Sequence, residues 1–236
     1  MKKIIISILS LVVLVTLVSG IFFVSAVPTD KENIEKITFI HYKDGKVKAI
    51  DHNAKPGTNT CYKLMGVKWN TLSVNYVINP ANDDGLSKEF VTSTISTSAE
   101  TWDDAISKEL FNNNYEIDYS AQYGVQNYRN AIVFGDYPSD NVIAVTSVWY
   151  NRFTKKIVEF DMLFNTRFTW GVDGSSDKMD LQNIATHELG HSVGLADIYT
   201  SACSAVTMYG YSNYGDISKR TLELADVTGL RTLYGI

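Results

Sequence analysis

His187-Glu188-Leu189-Gly190-His191-Ser192-Val193-Gly194-Leu195-Ala196-Asp197 is the stretch on which the reading of this chain turns. Asp180 stands as an N-cap ahead of Leu181, the spacing through Ile184, Glu188 and His191 predicts a helix, and Gly194 stops it. Histidines at i and i+4 project from one helix face one turn apart, so both imidazoles reach a single zinc ion. Glu188, beside the first histidine, is then placed to act as general base on a water rather than as a ligand. A chance match to this pattern in a chain with 4 histidines in 236 residues is on the order of one percent, which favours the chemical reading. Gly194 lets the chain turn sharply back.

Outward from this helix the pattern mixes strands and helices. Residues 72–78 alternate apolar and polar as a half-buried strand does, and residues 86–111 carry Phe90, Val91, Ile95, Trp102 and Ile106 at helical spacing, predicting one long helix. Residues 131–134, 142–150 and 157–164 are rich in β-branched and aromatic side chains and read as strands. A last helix is predicted over 222–234, ended by Gly235. The fold class is α+β: a mixed twisted sheet, a long helix, a central helix carrying the two histidines, and a C-terminal helix.

Composition narrows the function classes. The chain has 236 residues, 45% of them hydrophobic, and a net charge of −5, which gives it no general attraction to nucleic acid or anionic lipid. Lys2 and Lys3 precede an uncharged stretch that ends at Val24-Ser25-Ala26, the pattern of a secretory signal peptide. An uncleaved membrane anchor over the same residues is the rival reading, since the apolar run is long enough to span a bilayer. Loss of residues 1–26 removes two lysines and no acid, leaving 19 basic against 26 acidic side chains and a net charge of −7. Residues 27–57 read as a Lys-rich extension or short pro-segment, with His41 and His52 and the turns Asp44-Gly45 and Pro56-Gly57, and residues 58–236 as one domain. Cys61 and Cys203 are an even pair that permits one disulfide in an exported protein, and two free thiols are the alternative.

The motif and its surroundings resemble the metzincin metalloproteases, with Asp197 where a third histidine is usual. Thr207-Met208-Tyr209-Gly210 is similar to the Met-turn that places a methionine beneath the zinc ligands, here Met208. Phe160-Asp161-Met162-Leu163-Phe164-Asn165, Phe168-Thr169-Trp170-Gly171 and the segment from Asp226 to Gly235 resemble the matrixin strand, loop and closing helix. An aspartate third ligand is similar to that of snapalysin-type proteases. The resemblance implies a secreted zinc endopeptidase with one catalytic Zn2+ held by His187, His191 and Asp197, Glu188 as base, and a polypeptide substrate bound extended along residues 142–150. Neither Tyr209 nor Tyr211 matches the tyrosine ligand of some metzincins, because Gly210 stands at that position.

Other readings are weighed against this one. Asp173, Asp177 and Asp180 sit in a Gly/Ser-rich loop that allows Ca2+, although a solvated turn plus an N-cap explains them without it. Cys61 lacks the surroundings of the matrixin latency motif. Trp149, Tyr150, Phe160 and Trp170 read as sheet and core packing. The rival ligand set uses Glu223 with Asp226 behind it, and the rival function is a secreted or surface-anchored binding module on a non-catalytic scaffold.

Overall fold

The computed structural model describes residues 33–43 and 61–236. The signal or anchor at residues 1–26, His52 and the two predicted turns of the extension lie outside the described residues. Among the described residues no helix is long and apolar enough to cross a membrane.

In chain order the elements are β1 (Ile34–Lys43), β2 (Val77–Asn79), α1 (Lys88–Asp103), β3 (Glu116–Ile117), β4 (Ala131–Gly135), β5 (Val142–Asn151) and β6 (Ile157–Asn165). They continue with β7 (Trp170–Gly171), β8 (Met179–Asp180), α2 (Leu181–Ser192), β9 (Tyr211–Ser212) and α3 (Leu224–Tyr234). Seven strands form one mixed sheet in the order β3-β2-β4-β6-β5-β1-β9, while β7 and β8 pair separately. Only β5 runs against the rest: it is antiparallel to both β6 and β1, whereas the other pairs are parallel. The predicted strands at 131–134, 142–150 and 157–164 correspond to β4, β5 and β6 with ends moved by one residue.

Two expectations shift. Residues 72–76 show the predicted alternation, with Val74 and Tyr76 buried, but Val77 and Ile78 are both buried and only Val77–Asn79 is a ladder. Val74 pairs through a single bridge to Phe111, so the segment is half-buried without being a full strand. The long helix stops at Asp103 rather than reaching Phe111, because the Asp103 carboxylate accepts the backbone N–H groups of Leu110 and Phe111 and folds the chain back on itself. Apolar spacing continues past the helix end since Leu110 and Phe111 enter the same core from a loop.

Asp103 also sets a pH dependence. Burial pushes its carboxyl up to about 7, against the two backbone bonds and with help from Glu100 and Glu109. The folded state therefore holds this proton more tightly than the unfolded chain, whose carboxyl titrates near pH ~3.9. Its contribution is most favourable below about pH 4 and is lost as pH rises toward about 7. Asp103→Asn keeps an acceptor for Leu110 and Phe111 and removes the charge. Its urea midpoint should fall less than that of wild type between those pH values, and equal slopes would contradict this.

α1 and α2 pack on each other above the sheet. α1 is capped by Ser87, whose side chain accepts from Phe90, and buries Val91, Ile95, Ala99 and Trp102 along one face. The Trp102 indole donates to the Thr186 carbonyl at 2.8 Å and Ser98 reaches the Gln182 carbonyl, so one polar seam fixes the two helices in register. α3 closes the domain, with Leu230, Leu233 and Tyr234 buried and Asp226 completing a capping box with Glu223. Trp149, Tyr150, Phe160 and Trp170 are all buried in the sheet and core. Cys61 and Cys203 are bonded, tying the start of the domain to the loop after Asp197.

Candidate metal centre

α2 places the two histidines. Asp180 caps it through a bond from the Asn183 amide at 2.9 Å and also holds Arg220, which commits this carboxylate to the helix end and an ion pair. Every residue from Asn183 to Ser192 is buried, including His187, Glu188 and His191 at 0% exposure. Gly194 then takes φ +103°, a conformation that favours glycine, and a Cβ there would lie 2.5 Å from the Val67 carbonyl oxygen. Past this turn Leu195 bridges Leu64, and Ile198 bridges Tyr209, so Asp197 is delivered from a segment pinned on both sides.

Three polar atoms meet at one point: the Asp197 Oδ1 lies 3.2 Å from His187 Nε2 and 3.4 Å from His191 Nε2. The other ring nitrogens are already committed, His187 Nδ1 donating to the Thr207 carbonyl at 2.7 Å and His191 Nδ1 to the Leu195 carbonyl at 2.9 Å. Those bonds fix the tautomers and turn both Nε2 lone pairs toward the carboxylate. None of the three atoms has a hydrogen-bond partner. With both imidazoles neutral these buried lone pairs repel, and a cation among them removes the conflict, either a metal ion or the proton that Asp197 favours on His191 against the cost of burial. The three residues lie close enough together to ligate one ion, and two imidazoles with a carboxylate suit zinc.

Electrostatics agree. Burial, followed by the charge of Lys219, pushes His187 down to about 4, which keeps it a neutral ligand. Asp197 is held well below the ordinary carboxylate range, burial being outweighed by the facing His191 and His187. Its negative charge therefore draws a cation to this point. Burial raises Glu188 to about 7, opposed by His191 and Thr146.

The surroundings orient these groups. Tyr199 donates to Asp197 Oδ2 at 3.0 Å, and its ring sits where a Cβ on Gly210 would be, which accounts for the glycine there. Buried Lys219 donates to the carbonyls of Thr207 and Tyr209, and Asp226 accepts the amides of Thr207 and Met208. Those bonds hold the carbonyl that orients His187. Met208 packs beneath α2 at Gly190, where a Cβ would fall on its sulfur and 2.7 Å from the Trp102 ring. The rival Glu223 caps α3 and belongs to neither group of metal-holding geometry among the described residues.

Residues that contact Glu188 and the histidine rings directly were also not expected. Thr146 on β5 donates to Glu188 Oε2 at 2.5 Å. His41 on β1 brings Nδ1 to 3.1 Å from Glu188 Oε1, and its ring lies 3.9 Å from that of His187. Phe39 stacks on His191 at 4.0 Å. His41 also forms, with His187 and Glu188, a second buried group of metal-holding geometry. The residues 142–150 expected to border a substrate are thus covered by β1, which pairs along them from Ile34↔Asn151 to Tyr42↔Val142.

A mixed sheet with a central helix bearing paired histidines, a glycine turn, a carboxylate arm and a methionine beneath them defines a metzincin-type domain. The Peptidase M10 (Matrixin) family model matches residues 68–235, and the chain belongs to the matrixin family. It is 36% identical over 75 residues to a protein named hatching enzyme from Paracentrotus lividus. That match takes in 32% of this chain and spans only 12% of the relative's length.

Proposed function

We propose that this chain is an exported zinc endopeptidase. The observation that carries the proposal is the convergence of three buried, unpartnered lone pairs from His187, His191 and Asp197 next to the carboxylate of Glu188. Bound zinc would act as a Lewis acid on a scissile carbonyl and lower the pKa of water. In this reading Glu188 removes a proton from the attacking water and returns it to the departing amine. Thr146 holds Oε2 of Glu188, so Oε1, which His41 contacts in this structure, is the oxygen that would serve the water. Tyr199 and Lys219 set the ligand positions, and an extended polypeptide would add as a strand along β5, on the edge that β1 pairs with in this structure. Residues 1–26 supply the export signal, and the hatching enzyme resemblance supports a proteolytic role.

Metal binding tests the ligand set. Asp197→Ala should lose zinc affinity by more than the roughly 10–100-fold expected for Tyr199→Phe, which removes only the partner of the ligand. Zinc titration of the metal-stripped full chain checks this. Equal affinity of Asp197→Ala and wild type would remove Asp197 from the site.

A further inference from the structure

We propose that a groove along the amino ends of β3, β2, β4 and β6 is a binding site for an acidic polysaccharide. No residue of the metal centre lines it, and Glu188 meets Thr146 midway along a different strand, β5. Its ligand is therefore held independently of any peptide hydrolysis.

A cleft of about 700 Å³ opens where the chain enters these four parallel strands, and a second of about 310 Å³ continues it toward the end of α3, the two sharing Trp69, Asn70 and Lys156. Both volumes suit a ligand site, which spans roughly 300–1,000 Å³. Every exposed residue of the lining is polar, Gly66 and Tyr128 apart, while Val67, Val74 and Ile157 are buried behind it. The side-chain amides of Asn70 and Asn114 have no partner among the described residues, and an amide both donates and accepts, as a sugar hydroxyl does. Trp69 is fixed, its indole donating to the Ser192 carbonyl at 2.8 Å and its backbone amide to the Tyr234 hydroxyl at 3.1 Å. Tyr128, 48% exposed, adds a second ring. Such rings set an apolar face beside polar groups, which suits the C–H face of a sugar. An acidic polypeptide would instead need apolar hollows for alternate side chains.

Charge selects the class of sugar. Lys68, Lys155, Lys156 and Arg129 line the groove against one carboxylate, Glu116. Arg129 is taken by Glu116 and Asp118, whereas the three lysines enter no ion pair among the described residues. Lys68 is anchored on the Leu233 carbonyl at 2.7 Å with its charge unpaired. In a chain of net charge −5 this is a local positive strip, and screening beyond about 8 Å leaves a ligand in the groove to respond to the strip rather than to the whole. Backbone conformation points to the same place. Tyr128 at φ 62° and Lys155 at φ 57° are the non-glycine residues of positive φ among the described residues, and both line the groove. Glycine would take these turns without strain, so the retained ring and ammonium are what the turns serve to present.

The test is calorimetric titration of the full chain with polygalacturonate and with dextran sulfate, beside neutral dextran and poly-L-glutamate. At least one of the two acidic polysaccharides should bind, more tightly than either control and less tightly as salt is raised. Tyr128→Gly and the Lys155→Gly/Lys156→Ala double variant both place glycine at a positive φ, so each should fold, which urea unfolding checks. Affinity should fall about 5- to 30-fold in the lysine variant, which loses two exposed charge contacts, and about 2- to 10-fold in Tyr128→Gly, which loses one ring contact. The salt dependence should also be shallower in the lysine variant. Asn70→Ala/Asn114→Ala, confined to exposed side chains, carries the same comparison if either of the others fails to fold. Equal affinity of the folded variants and wild type, binding of poly-L-glutamate as tight as that of the polysaccharides, or no binding of either polysaccharide overturns the proposal.

Discussion

Glu188→Gln is expected to lower kcat by about 10²–10⁴-fold, measured in whichever of the wild-type and His41→Ala chains cuts faster. Glutamine keeps the size of the side chain and an oxygen for Thr146, which approaches Oε2 at 2.5 Å, but it cannot take a proton. The metal ligands are untouched, so zinc content should stay the same and KM should change little. A loss confined to kcat marks a group acting in the transition state. Equal activity of Glu188→Gln and its parent would instead favour a binding module on a non-catalytic scaffold.

Gly194→Ala should be the most damaging single change to the fold around the site. At φ +103° an alanine adopts a strained backbone, costing roughly 1–3 kcal/mol. Its Cβ would also meet the Val67 carbonyl oxygen at 2.5 Å and Leu233 at 3.2 Å. The carbonyl cannot rotate away as a flexible side chain would, so overpacking adds about 1–3 kcal/mol. Together these predict a loss of roughly 2–6 kcal/mol in urea unfolding. Because the turn delivers Asp197, zinc affinity should fall with stability. A variant with unchanged unfolding would mean that the turn can relax without cost.

The site was legible in the sequence wherever its groups are local. The i, i+4 histidines, the capping Asp180 and Gly194 lie within one helix and the turn that ends it, where spacing in sequence translates directly into geometry, whereas Asp197 and Met208 were expected only through the metzincin resemblance. Strands β4 to β6 were legible because their β-branched runs are buried on both faces. The end of α1 was hidden because Leu110 and Phe111 prolong the apolar pattern while the Asp103 side chain breaks the helix. β1 was hidden for a different reason. Its half-buried face makes a weak alternation within a Lys-rich segment, and a lone histidine carries no spacing signal. The alternation Ile37, Phe39, His41 is the one trace of it, and its meaning depends on a partner more than 100 residues away, since His41 meets Glu188 across 147 positions. Thr146 and Lys219 escaped similarly, as buried polar residues whose partners come from other elements.

Anomalous diffraction at the zinc absorption edge from crystals of the zinc-loaded full chain tests the central claim most directly. One peak is expected, with His187 Nε2 and His191 Nε2 at about 2.0–2.1 Å and an Asp197 oxygen at about 2.0–2.2 Å. A zinc ion held instead by His41, His187 and Glu188, the other buried group of suitable geometry, would contradict it. That result would make Glu188 a ligand and leave the proposed chemistry without its base.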